Sequence, residues 1–224
     1  MSLQSLFEVC SQLFKPDQVS TVLDIGSRDC LEAMAIAKNF PHSNVYSFEC
    51  HPDSYIKCIE NTKNHDNIKV FNTAAHNFDG KTKFYPIDPS RTVTTWADGN
   101  PGASSLFKAS GEYDFIEKYV QNEIEVDCTR IDTWANQNDI KQVDIVWMDL
   151  QGAELLALQG FGDLLKTVKV IHTEVEVAKP IYTGQALYKE IDTFLTLNNF
   201  VYVNGNLNVQ FGTDVIYINK DFLV

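Results

Sequence analysis

The chain has 224 residues, 44% of them hydrophobic, which is enough for one substantial core and too few for two full domains. Its 18 basic residues stand against 30 acidic ones, a formal net charge of −12. Such a surface repels phosphate backbones, so duplex DNA and structured RNA are disfavoured as substrates, whereas small neutral or cationic ligands suit it.

Leu3, Leu6, Phe7, Cys10, Leu13 and Phe14 recur at three- and four-residue spacings, so an amphipathic helix is expected over residues 3–14. Lys15-Pro16 stops it, making residues 1–16 an N-terminal helical segment outside the sheet. Strands are expected at 22–25, 45–48 and 68–71, with helices at 31–38 and 53–61 between them, a βαβαβ half. Residues 76–85 hold Asp79-Gly80 between two short runs and predict a hairpin. Residues 91–108, rich in Gly, Ser, Thr and Pro, read as a long loop. A strand at 123–129 and a short helix at 131–136 close a β-rich insertion spanning residues 73–142. Apolar strands then follow at 143–148 and 168–173, with helices at 153–161 and 185–197, and 200–203 with 215–218 form a closing antiparallel pair. The expectation is one α/β domain over residues 1–224, a doubly wound, mostly parallel sheet of seven strands whose last strand is antiparallel.

The opening MSLQSLFEVCSQLF lacks a basic segment followed by an apolar run, and no stretch approaches the ~18 apolar residues of a membrane span. A cytoplasmic protein with no membrane span is expected. Cys10, Cys30, Cys50, Cys58 and Cys128 are scattered without a CxxC pair and read as free thiols. The five histidines are too far apart for a local metal motif, and no metal is expected.

The chemistry concentrates at strand ends. In Thr21-Val-Leu-Asp-Ile-Gly26 an apolar strand runs into a glycine turn at the edge where open parallel sheets bind ligands. Gly26 permits a tight turn and close approach, and Asp24 offers a carboxylate to an ammonium group or backbone donors. A dinucleotide would require G-x-G-x-x-G around its pyrophosphate, but Arg28 and Cys30 occupy the later glycine positions. S-adenosylmethionine has no phosphate and fits such a loop better. Glu49, at the end of the second strand, is placed to accept both ribose hydroxyls, the alternative being a solvated strand-end acid. Asp149-Leu-Gln-Gly-Ala-Glu154 sets an acid, a glycine turn and a second acid at the end of a buried strand. Asp149 is the first candidate base, followed by Glu154, which also complements a helix dipole, and Glu174, expected at the end of the 168–173 strand. His172 reads as a packed structural residue. Residues 102–105 read either as part of a lid or as an ordinary serine-rich surface loop. Trp96, Phe107 and Tyr113 either stack on a sugar ring or anchor that loop.

Together these segments resemble the FkbM family of S-adenosylmethionine-dependent methyltransferases, a branch of the Rossmann-like class I methyltransferase fold, over residues 22–219. The carriers are Val22-Leu-Asp-Ile-Gly26, Phe48-Glu49-Cys50-His51-Pro52, Asn72-Thr-Ala74, Gly102-Ala-Ser-Ser-Leu106, Thr129-Arg-Ile-Asp-Thr133 and Asp149-Leu-Gln-Gly-Ala-Glu154. The resemblance implies cofactor binding by Asp24, Gly26, Ser27, Arg28, Glu49, Cys50, Ala74 and Asp149. It also implies methylation of a hydroxyl on a small-molecule acceptor such as a carbohydrate. The chain departs from the family at Cys30, where glycine is usual, at Cys50, where proline is frequent, and at Gln151, where glutamate is common. Two other readings of the same topology are an NAD(P)-dependent oxidoreductase, against which the missing glycines argue, and a non-catalytic cofactor-binding module.

Overall fold

The computed structural model describes residues 3–223, so residues 1, 2 and 224 of the expected segments lie outside the described residues. In chain order the elements are α1 (Leu3–Leu13), β1 (Thr21–Ile25), α2 (Leu31–Asn39), β2 (Asn44–Phe48), α3 (Pro52–Thr62) and β3 (Ile68–Phe71). The intervening segment carries β4 (Ala74–Ala75), β5 (Gly80–Phe84), β6 (Ile124–Thr129) and α4 (Ile131–Gln137). It is followed by β7 (Ile145–Met148), α5 (Glu154–Gln159), β8 (Val170–Glu176), α6 (Tyr188–Leu197), β9 (Phe200–Gly205) and β10 (Gly212–Asn219).

Seven strands form one sheet in the order β3-β2-β1-β7-β8-β10-β9, with β10 antiparallel to both neighbours and the pairs from β3 through β8 parallel. The order reverses at β1, which lies between β2 and β7. Because strand side chains alternate, the inner strands serve two cores. Val22, Val45, Ile145, Val170 and Ile216 pack with Leu6, Cys10, Ala33, Ile36 and Cys58 of α1 to α3. Leu23, Ile25, Phe48, Val146, Met148 and Ile171 pack with Ile131, Trp134, Leu158, Ile191 and Leu195 of α4 to α6. Both faces are therefore covered, as a doubly wound sheet requires.

At the opposite edge from the strand carboxyl ends, buried Asp144 fixes the β1–β7 register. Its Oδ2 accepts from Ser20 N (2.7 Å), Ser20 Oγ (2.9 Å) and Thr21 N (3.0 Å), while its Oδ1 lies 2.7 Å from Lys169 Nζ.

Two expectations are corrected. The predicted hairpin at 76–85 does not form, because β6 lies between β4 and β5 in a separate three-stranded sheet, β4-β6-β5. The physical cause is Asp79. Instead of closing a two-residue turn, its carboxylate accepts from Thr129 Oγ1, Arg130 N and Thr133 Oγ1, tying the corner to the β6–α4 junction. The second correction concerns Glu174. It does not follow the strand but lies within β8, opposite Asp214 of β10.

Candidate functional site

The carboxyl ends of β1, β2 and β7 meet at one place, and Gly26 is what lets them meet. With φ +90° its backbone turns so closely under β7 that a Cβ there would lie 1.9 Å from the Asp149 carbonyl oxygen. The expected reason for this glycine was room for a ligand; the structure gives a different one, a neighbouring backbone. The turn is held by Gly26 N and Ser27 N donating to Phe48 O, and by Asp149 N donating to Ile25 O. Arg28 and Cys30 continue the loop in the left-handed region, at φ 54° and 61°. Glycine adopts that conformation at no steric cost, so Cys30, fully buried against α2, bears strain that a glycine would not.

Glu49 is buried at the end of β2, with Oε2 accepting from Arg28 N and Oε1 from His51 N, both at 2.7 Å. Each oxygen keeps a further acceptor site. The carboxylate faces a cavity whose apolar walls include Phe48, Ala74, Ala75, Phe84, Leu106 and Leu150, and which Gly26, Arg28, Cys50 and Asp149 also line. Burial pushes the Glu49 pKa up to about 7, against the backbone donors that lower it.

Asp24 and Ser27 line neither this cavity nor the next. Asp24 is 1% exposed beneath the loop; its Oδ2 accepts from Ser27 Oγ at 2.6 Å, and its Oδ1 has no hydrogen-bond partner. The structure thus brings Glu49 and Asp149 to one hollow and leaves Asp24 behind it.

A second cavity of about 510 Å³ adjoins the first, sharing Gly26, Arg28, Gly102, Asp149 and Gln151 with it. Its remaining wall includes Glu174, Glu176, Asp214, Tyr113, Tyr119 and Phe211. At the seam Gln151, in the left-handed region at φ 51°, donates through Nε2 to Asp149 Oδ1 (2.7 Å) and Glu174 Oε2 (2.8 Å). Buried Tyr182 orients that amide, its hydroxyl lying 3.0 Å from Gln151 Oε1 and 2.7 Å from Ala103 O. Gln151, which sequence reasoning treated as a lost carboxylate, is therefore a bridge between two acids. Asp149 is open to the cavities, and partial desolvation at their seam raises its pKa. Glu174 is pushed well up, first by burial and then by the Asp149 carboxylate.

Glu154 reaches neither cavity. It is 2% exposed and clamps the turn after β7, its Oε1 accepting from Leu150 N (2.9 Å) and Gly152 N (3.2 Å). In the loop, Gly102 lines both cavities, but Ser105 is fully buried and donates to Gln151 O at 2.7 Å, while Ser104 donates to Pro101 O. The Ser105 hydroxyl holds the loop to the seam, and that of Ser104 braces the loop on itself. Trp96 and Tyr113 line the second cavity and Phe107 does not. His172 stacks on Trp147 at 3.8 Å and is buried, which lowers its pKa to about 4.

Several carboxyls here hold their protons more tightly in the folded chain than in the unfolded one. Burial raises Asp24, Glu49 and Glu154 to about 7 and Glu176 to about 8. The sign follows: stability is fullest below the ordinary carboxylate range and falls as pH rises through 7 to 8. The melting temperature is expected to drop by several degrees from pH 5.5 to pH 8, and the Asp24→Asn variant should show a flatter dependence by differential scanning fluorimetry. A melting temperature that rises over this interval would contradict the assignment.

The donor set fits S-adenosylmethionine. A carboxylate of this placement suits ribose hydroxyls, apolar walls suit an adenine ring, and acidic surroundings suit a sulfonium and an ammonium. Arg28 is the only basic residue on either wall among the described residues, apart from His51, which leaves a pyrophosphate poorly matched. The methyltransferase FkbM domain profile matches residues 22–202. The chain is 28% identical over 188 residues to the 2-O-methyltransferase NoeI of Sinorhizobium fredii, covering 84% of this chain and 72% of that protein. Among solved structures it shares its fold with the Methanococcus jannaschii fibrillarin pre-rRNA processing protein, at TM-score 0.53 and 12% identity over 92% of this chain and 69% of that one. A putative rRNA methylase from Clostridium thermocellum is similar to the same degree, at TM-score 0.53 and 11% identity over 97% and 94% of the two chains. No helix among the described residues is long and apolar enough to cross a membrane.

Proposed function

Because the chain belongs to the FkbM methyltransferase family and is an S-adenosylmethionine-dependent methyltransferase, we propose that it methylates a hydroxyl group of a small polyhydroxylated molecule, a carbohydrate in particular. The observation that carries this reading is the pair of adjoining cavities with Asp149 at their seam. One suits a nucleoside, and the other is wide enough for a sugar-sized molecule and walled by aromatic rings and carboxylates. The name of the relative NoeI adds weight to oxygen as the accepting atom.

S-adenosylmethionine supplies an electrophilic methyl on a sulfonium. The chain's own work is positioning. Glu49, held in place by its two backbone donors, would accept the ribose hydroxyls. Gly26 and Arg28 would hold the methionyl portion and Cys50 and Ala74 the adenine, while Asp24 with Ser27 stiffens the loop from beneath. Most of the rate comes from holding the acceptor oxygen in line with the methyl carbon. Asp149 takes the hydroxyl proton, Glu174 is its hydrogen-bonded neighbour through Gln151, and Glu154 acts by fixing the turn that carries Asp149. We also take residues 1–224 as one methyltransferase domain, with 73–142 inserted between the third and fourth core strands.

Glu49→Ala is expected to weaken binding of the demethylated cofactor product by about tenfold, the loss of about 1.4 kcal/mol, in isothermal titration calorimetry. Binding equal to the parent would remove Glu49 from the ribose. For the reaction itself, incubation with isotopically labelled S-adenosylmethionine and a panel of sugars, polyols and amines, read by mass spectrometry, should place label on oxygen. Label found only on nitrogen or carbon would overturn the O-methyl reading.

A further inference from the structure

We propose that the acceptor carries a protonated primary amine beside its hydroxyls, the chemistry of an unacetylated amino sugar, and that Glu174 and Glu176 receive the ammonium in the second cavity. This rests on the O-methyltransferase reading above and narrows its substrate class.

Glu174 and Glu176 stand two residues apart on β8, so their side chains leave the same face of the sheet. Both line the second cavity and neither lines the cofactor cavity. Among the described residues neither is paired with a lysine or arginine. Arg28, the basic side chain on that wall, is turned to Asp98 at 3.1 Å. Glu176 is 3% exposed, and its Oε2 has no hydrogen-bond partner. A buried acceptor left unsatisfied is costly, and here it borders a cavity large enough to bring it a donor.

The space around the two acids is kept open by the facing strand. Gly212 of β10 pairs with Glu176, and a Cβ there would lie 2.8 Å from Glu176 Oε1 and 3.0 Å from Glu174 Oε1. A side chain at 212 would displace both carboxylates. Across from them Tyr113 meets Phe211 edge to face at 4.9 Å and Tyr119 at 6.1 Å, presenting aromatic rings beside the acids. Rings next to carboxylates recognise an ammonium through its charge and a sugar through its apolar C–H face. A neutral polyol brings no positive charge to these two buried carboxyls, whereas an ammonium brings one. Burial raises the pKa values of both glutamates, with Asp149 and Glu154 adding to the rise at Glu174 and Glu154 at Glu176, and an ammonium would let them ionise.

The test uses the full chain saturated with S-adenosylhomocysteine and follows the fluorescence of Trp96 and Trp147, which line the cavity. The probes are glucosamine, N-acetylglucosamine and glucose. Glucosamine is expected to bind about tenfold more tightly than either neutral sugar, and Glu176→Gln should reduce that preference to about threefold or less while S-adenosylhomocysteine binds as before. Equal binding of the three sugars, tighter binding of a neutral one, or no binding of glucosamine overturns the proposal. Label transferred from S-adenosylmethionine to the nitrogen of bound glucosamine would keep the ammonium site and overturn the O-methyl reading, so the two fail separately.

Discussion

Gly26→Ala is expected to leave little folded, cofactor-competent protein. Its Cβ would lie 1.9 Å from the Asp149 carbonyl oxygen, a rigid backbone atom rather than a side chain that can swing away. At φ +90° an L-residue is also strained whatever space it has. To admit the methyl group, the ends of β1 and β7 must separate. That breaks the Asp149 N to Ile25 O bond and the turn over β2. A destabilisation of several kcal/mol is a large share of the ~5–15 kcal/mol that holds a domain folded. The checks are soluble yield, thermal melting and calorimetric titration with S-adenosylhomocysteine. An alanine variant that melts within two or three degrees of the parent and binds normally would show that the strand ends are not packed as described.

Asp149→Asn is expected to lower kcat by about a hundredfold while changing cofactor affinity by less than about threefold, the pattern of a lost proton acceptor. The amide preserves shape but cannot take a proton from a hydroxyl. Since shielding raises the Asp149 pKa, the parent's rate should climb with pH across a limb displaced above the usual aspartate range, and the variant should lose that limb. Glu174→Gln discriminates between the two acids. If it lowers kcat more than Asp149→Asn does, the proton goes to Glu174 and the assignment is reversed. Parent-like kcat in both variants would mean that positioning alone suffices and that neither acid is a base.

The sheet was legible because its strands are short apolar runs bounded by turn residues, as at 68–71, where the observed strand ends where the pattern does. What failed depended on contacts distant in sequence. Asp79-Gly80 carries a hairpin's local chemistry, but its carboxylate is captured by Thr129 and Thr133, some fifty positions on, and no local rule sees them. The site divides in the same way. Glu49 and Asp149 lie at strand ends, where topology alone delivers them to one place. Glu154 looks equivalent on paper yet turns inward, because the N–H groups of Leu150 and Gly152 need an acceptor. Gln151 was read by what it lacks, a charge, when its two N–H bonds matter more. Tyr119, Glu176 and Phe211 form no motif, since three separated segments contribute them; only Tyr113, as a candidate ring, and the alternation that puts Glu174 and Glu176 on one face were there to be read.

The pairing of β1 has a consequence for how the chain is made. Its partner on one side, β2, emerges from the ribosome soon after it, but Ser20 waits for Asp144, 124 positions further on, before its other edge is covered. Through all that synthesis an apolar strand presents an open row of amide and carbonyl groups, a template for any stray extended segment. Chains truncated before residue 145 are therefore expected to keep a sticky edge, since only the arrival of β7 closes it.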